Sequence, residues 1–161
     1  MSLPIGFNHV AIVTKDLDRL GRFYSEVFEA ETVWSGETPL RGGIPHAFIE
    51  LNPTTAIHAF ELPEEHVDGL GGELLARGRV DHFALSVPDG SLLEKLRARL
   101  VEGGYSPGTI SRFGSVISLY FEDPDGMPCE VCCLAAGSRG FADCAAPEPS
   151  DPFWSRNDSD S

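Results

Sequence analysis

The sequence predicts an α+β fold: two βαβββ modules whose strands form a curved mixed sheet around a cleft, with the helices on the outer face. Three observations carry that reading. Phe7-Asn8-His9-Val10-Ala11-Ile12-Val13 can be laid over Val80-Asp81-His82-Phe83-Ala84-Leu85-Ser86, an internal repeat with an offset of 73 residues. The same offset places Asp16 on Asp89, Leu20 on Leu93, Phe23 on Leu96 and Val27 on Leu100. Each half then continues with three β-patterned segments separated by turn residues.

The elements follow in order. After the first apolar strand, Asp16 caps a helix reaching Ala30, because Leu17, Leu20, Phe23, Tyr24, Val27 and Phe28 share one face at helical spacing. Strands are expected over Glu31–Ser35, Pro45–Leu51 and Thr55–Leu62, with Asn52-Pro53-Thr54 turning between the last two. The second half opens at Val80. Its helix runs over Gly90–Glu102, with Leu92, Leu93, Leu96 and Leu100 as its apolar face and Gly103-Gly104 as its stop. Strands over Tyr105–Arg112, Ser115–Glu122 and Met127–Leu134 complete it, and Asp123-Pro124-Asp125-Gly126 is a strong hairpin signal. An offset of 72 then aligns Phe48 with Tyr120 and His58 with Glu130. The expected organisation is one domain over residues 1–134, with modules at 5–62 and 80–134 and a Gly-rich, charged linker at 63–79. Residues 135–161, with three prolines and five acids, match neither half and read as an extended or disordered tail.

At 161 residues the chain can bury a core without staples. Twelve basic against 25 acidic residues leave a net charge of −13, which argues against nucleic acid or an anionic membrane as partner. No apolar run is long enough to span a bilayer and no basic-then-apolar leader opens the chain, so a cytoplasmic protein is expected. Of the four cysteines, Cys129, Cys132 and Cys133 crowd together unlike a disulfide framework, which suits a reducing compartment.

Alternation along strands sorts the polar residues. Val10 and Ile12 face the first helix and leave His9 opposite. Ile57 and Ala59 leave His58 and Phe60 opposite. Phe83 and Leu85 leave His82 opposite. Cys129, Val131 and Cys133 leave Glu130 and Cys132 opposite. If a pseudo-twofold relates the halves, His9, His58, His82 and Glu130 meet in one concave face. Imidazole with carboxylate suits one divalent Fe, Ni, Co, Zn or Mn ion. Such an ion could chelate two neighbouring substrate oxygens and stabilise negative charge on them.

The segments His9-Val10-Ala11-Ile12-Val13, Asp16-Leu17 with Phe23-Tyr24, Asp81-His82-Phe83-Ala84-Leu85, and Glu122-Asp123-Pro124-Asp125-Gly126 followed by Glu130 resemble the vicinal oxygen chelate superfamily. That superfamily includes glyoxalase I, extradiol dioxygenases, fosfomycin-resistance enzymes and bleomycin-binding proteins. The resemblance covers about residues 5–134. It implies that His9, His82 and Glu130 are metal ligands and that His58 stands at the fourth-ligand position of glyoxalase I. His58 reads equally as a base near the metal. Tyr120 aligns with the active-site tyrosine of extradiol dioxygenases, or is an aromatic cleft wall. His46, Phe48, Phe60 and Arg112 are expected to contact substrate.

The resemblance leaves three functions. One is a glyoxalase-like lyase or isomerase acting on a small oxygen-rich substrate chelated by the metal, although Val13 and Leu62 stand where glyoxalase I commonly offers Arg and Asn to glutathione. The second is an Fe(II) extradiol-type dioxygenase cleaving a catecholic ring, although that family's strand histidine would fall near Pro53. The third is a non-catalytic small-molecule binding or antibiotic-resistance protein. A small-molecule substrate and a homodimer are expected, since superfamily members build each site from two modules, within a chain or across a dimer.

Overall fold

A computed structural model describes residues 6–38, 43–64 and 82–138. It divides into two compact units, Met1–Gly71 and Gly72–Ser161. The first contains β1 (His9–Thr14), α1 (Leu17–Phe28), β2 (Glu31–Thr38), β3 (Ile44–Asn52) and β4 (Thr55–Glu61). The second contains β5 (Phe83–Ser86), α2 (Gly90–Glu102), β6 (Ile110–Phe113), β7 (Val116–Glu122) and β8 (Pro128–Leu134). The fold is α+β, and the βαβββ order appears twice. Each unit holds one four-stranded mixed sheet, in the order β1-β4-β3-β2 and β5-β8-β7-β6. In both sheets the first and last strands pair in parallel and the other neighbours are antiparallel.

The helices start where acidic side chains satisfy their exposed N–H groups. Asp16 accepts from Arg19 N at 2.8 Å, and Asp89 Oδ1 accepts from Ser91 N and Leu92 N at 2.9 and 3.0 Å. Their apolar faces then cover one side of each sheet. Leu20, Phe23, Tyr24 and Val27 of α1 are buried with Ile12, Ala47, Ile49, Ile57 and Ala59. Leu93, Leu96 and Leu100 of α2 are buried with Leu119, Phe121, Cys129, Val131 and Cys133. This burial is what leaves the alternate residues of each strand on the far face.

Three boundaries among the described residues differ from the periodicity by more than one residue. Helix α1 ends at Phe28, not Ala30, because Glu29 turns left-handed at φ 60° and its N–H closes onto Ser25 O. Strand β2 runs on to Thr38, paired with Ile44, instead of stopping at Ser35. Strand β6 begins at Ile110, not Tyr105. Tyr105 N is taken by Leu100 O at the end of α2, and Gly108 sits at φ +78°, where a strand cannot pass. Among the described residues no helix is long and apolar enough to cross a membrane. The linker beyond Glu64 and the tail beyond Ser138, with Cys144, lie outside the described residues, as does Asp81 of the repeat motif.

Candidate functional site

The face of each sheet turned away from its helix carries the candidate residues. In the first unit the register lines up Ala11, His58, Phe48 and Trp34 across β1, β4, β3 and β2. The next row is Val13, Phe60, His46 and Gly36. Phe48 stacks on His58 with centroids 4.0 Å apart, and His46 stacks on Phe60 at 5.3 Å and 7°. Nδ1 of His46 and Nε2 of His58 are 2.8 Å apart, a hydrogen bond between two imidazoles. His9 lies at the strand start, bonded through Nδ1 to Asn8 Oδ1 at 2.9 Å, with its ring centroid 5.7 Å from that of His58. Burial, then the neighbouring His46 and His9, push the His58 pKa below the usual imidazole value. Its neutral form, the one that ligates metals and accepts protons, is favoured.

The second unit repeats this geometry with other chemistry. Here Ala84, Glu130 and Tyr120 share a row across β5, β8 and β7, and Ser86, Cys132 and Ser118 share the next. Glu130 is 7% exposed. Its Oε1 accepts a hydrogen bond from Ser118 Oγ, and its Oε2 lies 3.1 Å from Nε2 of His82. A carboxylate so far removed from water needs a cation or strong donors beside it. The His82 ring stands edge-on to Tyr120 at 5.6 Å. Cys132 lies on this face, half-buried, and burial followed by the Glu130 and Cys133 charges raises its pKa to about 11. Cys129 and Cys133 are buried on the helix side, and none of the three described cysteines forms a disulfide.

The structure thus brings His9, His46, His58, Phe48 and Phe60 together in one unit, and His82, Glu130 and Tyr120 in the other. Arg112 is not with them. It is exposed and pairs with Ile117, which pairs with Cys133, so it belongs to the helix-side row of its sheet. Burial and then the Asp89 charge raise the Cys133 pKa, and the Arg112 charge acts in the opposite sense. Among the described residues, no group of three or more His, Cys, Asp and Glu side chains is placed to hold a metal ion. Each unit instead offers a pair of donors: His9 with His58, and His82 with Glu130. The donor types of each pair, imidazole with imidazole in the first unit and imidazole with carboxylate in the second, suit a first-row divalent ion.

Two residues of these clusters escaped the sequence reading. Ser118 occupies the position that the offset of 72 assigns to His46, so the repeat itself pointed to it. Trp34 lies 4.8 Å from the His46 ring and covers Gly36, whose added Cβ would meet the indole at 2.8 Å. An aromatic residue two positions before a glycine on an edge strand was the available signal.

Residues 6–131 match the family model described as the Glyoxalase/Bleomycin resistance protein/Dioxygenase superfamily. Over 126 residues the chain is 33% identical to a lactoylglutathione lyase from Arabidopsis thaliana, covering 78% of this chain and 43% of that protein. The chain therefore spans less than half the length of that relative. Among solved structures, a glyoxylase/bleomycin resistance protein/dioxygenase domain from Frankia sp. EAN1pec superposes with a TM-score of 0.65 at 25% identity, over 85% of this chain and 96% of that one. A fosfomycin resistance protein from Listeria monocytogenes, complexed with Mn(II) and sulfate, superposes with a TM-score of 0.57 at 19% identity, over 83% and 96% of the two chains. The latter likeness is one of fold alone.

Proposed function

The chain belongs to the Glyoxalase/Bleomycin resistance protein/Dioxygenase superfamily, and from that membership we propose that it is a divalent-metal-dependent lyase or isomerase acting on a small oxygen-rich substrate. His9, His82 and Glu130 would hold the metal, with His58 as a fourth ligand or as the base beside it. The observation that carries the reading is Glu130. It is a buried carboxylate, anchored at one oxygen by Ser118 and facing an imidazole nitrogen with the other. A dication held there would supply polarisation of substrate oxygens.

The chain's own side chains supply the rest. His58, kept neutral by burial and by two adjacent imidazoles, is suited to accept a proton. Phe48, Phe60 and Trp34 offer ring faces that exclude water from a bound substrate. Tyr120, 9% exposed beside His82, offers a phenol. The likeness to a lactoylglutathione lyase supports the lyase or isomerase class over oxidative ring cleavage. Val13 and Leu62, where glyoxalase I commonly offers Arg and Asn, speak against a glutathione adduct as substrate.

The test is elemental mass spectrometry on the full chain purified without chelator. About one equivalent of metal per chain is expected, falling sharply in Glu130→Ala while the circular dichroism spectrum is kept. No metal even after reconstitution would overturn the reading and leave a metal-independent binding protein. The dioxygenase remains as a second reading because Tyr120 pairs directly with Glu130 and meets His82 edge-on. Iron in the purified protein, with oxygen uptake on catechol, would select it. A homodimer completes the proposal, and light scattering reads its mass.

A further inference from the structure

We propose that His46 and Ser118 are equivalent positioning residues, each using one hydrogen bond to fix the side chain that carries the chemistry on the adjacent strand. His46 fixes His58 in the first unit, and Ser118 fixes Glu130 in the second. The inference rests on the reading above that His58 and Glu130 belong to the site.

The two bonds occupy the same slot of the repeat. His46 and Ser118 are related by the offset of 72 that also relates Phe48 to Tyr120 and His58 to Glu130. On β3, His46 lies opposite Phe60, two residues beyond His58. On β7, Ser118 lies opposite Cys132, two residues beyond Glu130. Both contacts are therefore diagonal cross-strand pairs on one face, a separation that long polar side chains bridge. Nδ1 of His46 meets Nε2 of His58 at 2.8 Å, and Ser118 Oγ donates to Glu130 Oε1.

The chemistry of each slot is matched to its partner. A hydroxyl gives a carboxylate the donor it requires, and one imidazole exchanges a single hydrogen with another. The consequence is the same in both units. When the Nε2–H of His58 donates to Nδ1 of His46, Nδ1 of His58 is the unprotonated atom it presents to metal or substrate. With Oε1 of Glu130 engaged, Oε2 is the atom it presents, on the side of His82. Each chemical group is reduced from two donor atoms to one, which sets its orientation before any ligand arrives.

The experiment is nitrogen-15 NMR of the imidazoles in the full chain, stripped of metal, together with calorimetric titration of Mn(II). In the parent, His58 should show one tautomer. His46→Ala should mix the two tautomers, and His46→Asn, whose amide can take the place of Nδ1, should restore one. Ser118→Ala should weaken Mn(II) binding about 10–100-fold and Ser118→Thr should recover it. Unchanged His58 nitrogen shifts in His46→Ala, or unchanged Mn(II) affinity in Ser118→Ala, would overturn the proposal. A purely structural role would lower thermal stability and leave the tautomer alone. Failure of the parent to bind Mn(II), Fe(II), Co(II), Ni(II) and Zn(II) alike would instead sink the proposed function, with the His58 tautomer still deciding the positioning. If Ser118→Ala does not fold, the threonine variant and the His46 series carry the test.

Discussion

Replacing Asp123 by alanine should lower the melting temperature by about 6–12 °C. Asp123 is 4% exposed at the turn between β7 and β8. Its Oδ1 accepts from Asp125 N at 2.8 Å and Met127 N at 2.9 Å, while its own N–H donates to Met127 O at 3.0 Å. Gly126, at φ +78°, completes the turn by donating to Asp123 O. Alanine removes both side-chain acceptances and keeps the backbone bonds. A hydrogen bond to a charged group contributes about 1.5–3 kcal/mol, and both donors are half-buried, so the lower end applies and the pair is worth about 3 kcal/mol. A chain of this size loses about 2–4 °C per kcal/mol. Asparagine keeps a neutral acceptor at Oδ1, and neutral acceptors are roughly half as strong, so Asp123→Asn should lose about half as much. The assay is thermal melting of the full chain by circular dichroism. Alanine and asparagine variants melting within about 1 °C of the parent, or asparagine falling as far as alanine, would refute the assignment of the stabilisation to Oδ1.

Two further outcomes depend on protonation. His58 binds its proton less readily in the folded chain than at the ordinary value of 6.5. As pH falls below 6.5 the unfolded chain therefore gains protons first, and stability present above that pH is lost on acidification. His58→Gln should show a shallower acid slope in urea denaturation below pH 6.5, and parallel curves would contradict the shift. Cys132, raised from 9.0 to about 11, should react with iodoacetamide near neutral pH about 100-fold more slowly than an ordinary thiol, because the thiolate is the nucleophile. Mass spectrometry of alkylated peptides over time reads this, and labelling at the ordinary rate would place the thiol in a different environment.

The parts of the fold that were legible are those written in local chemistry. Asp16 and Asp89 announce both helices, and the recurring Leu20/Leu93 and Val27/Leu100 positions show which face is buried. Asp123 to Gly126 spells a tight turn in four residues. Strand β6 starts later than the expected Tyr105 because Gly104 and Pro107-Gly108 flank Tyr105 and Ser106 with turn residues, and hydrogen bonds hold both residues outside the strand. Tyr105 N closes α2, and Ser106 Oγ donates to Tyr120 O. Period and propensity carry no record of such bonds. The candidate residues were legible as positions: alternation put His9, His58, His82 and Glu130 on the face away from the helices. The hydrogen bonds they make were not, because a diagonal contact between His46 and His58 spans twelve residues and depends on strand register. The exposure and row of Arg112 were equally hidden, since its face depends on where β6 begins.

The repeat constrains backbone slots and leaves their chemistry open. One slot holds His58 in the first unit and Glu130 in the second; its neighbours are His46 and Ser118, Phe48 and Tyr120, Phe60 and Cys132. The exchange is not balanced in charge. The described face of the first unit has imidazoles and hydrocarbon rings around His58, and the paired carboxylate–imidazole contact belongs to the second. In the proposed site Glu130 would thus supply the single negative charge against a dication, with imidazoles as the remaining donors. A ligand set of that composition keeps a net positive charge, which favours an anionic oxygen on the substrate. It also makes the hydroxyl of Ser118 consequential beyond its size, because it governs which oxygen of that one carboxylate is presented.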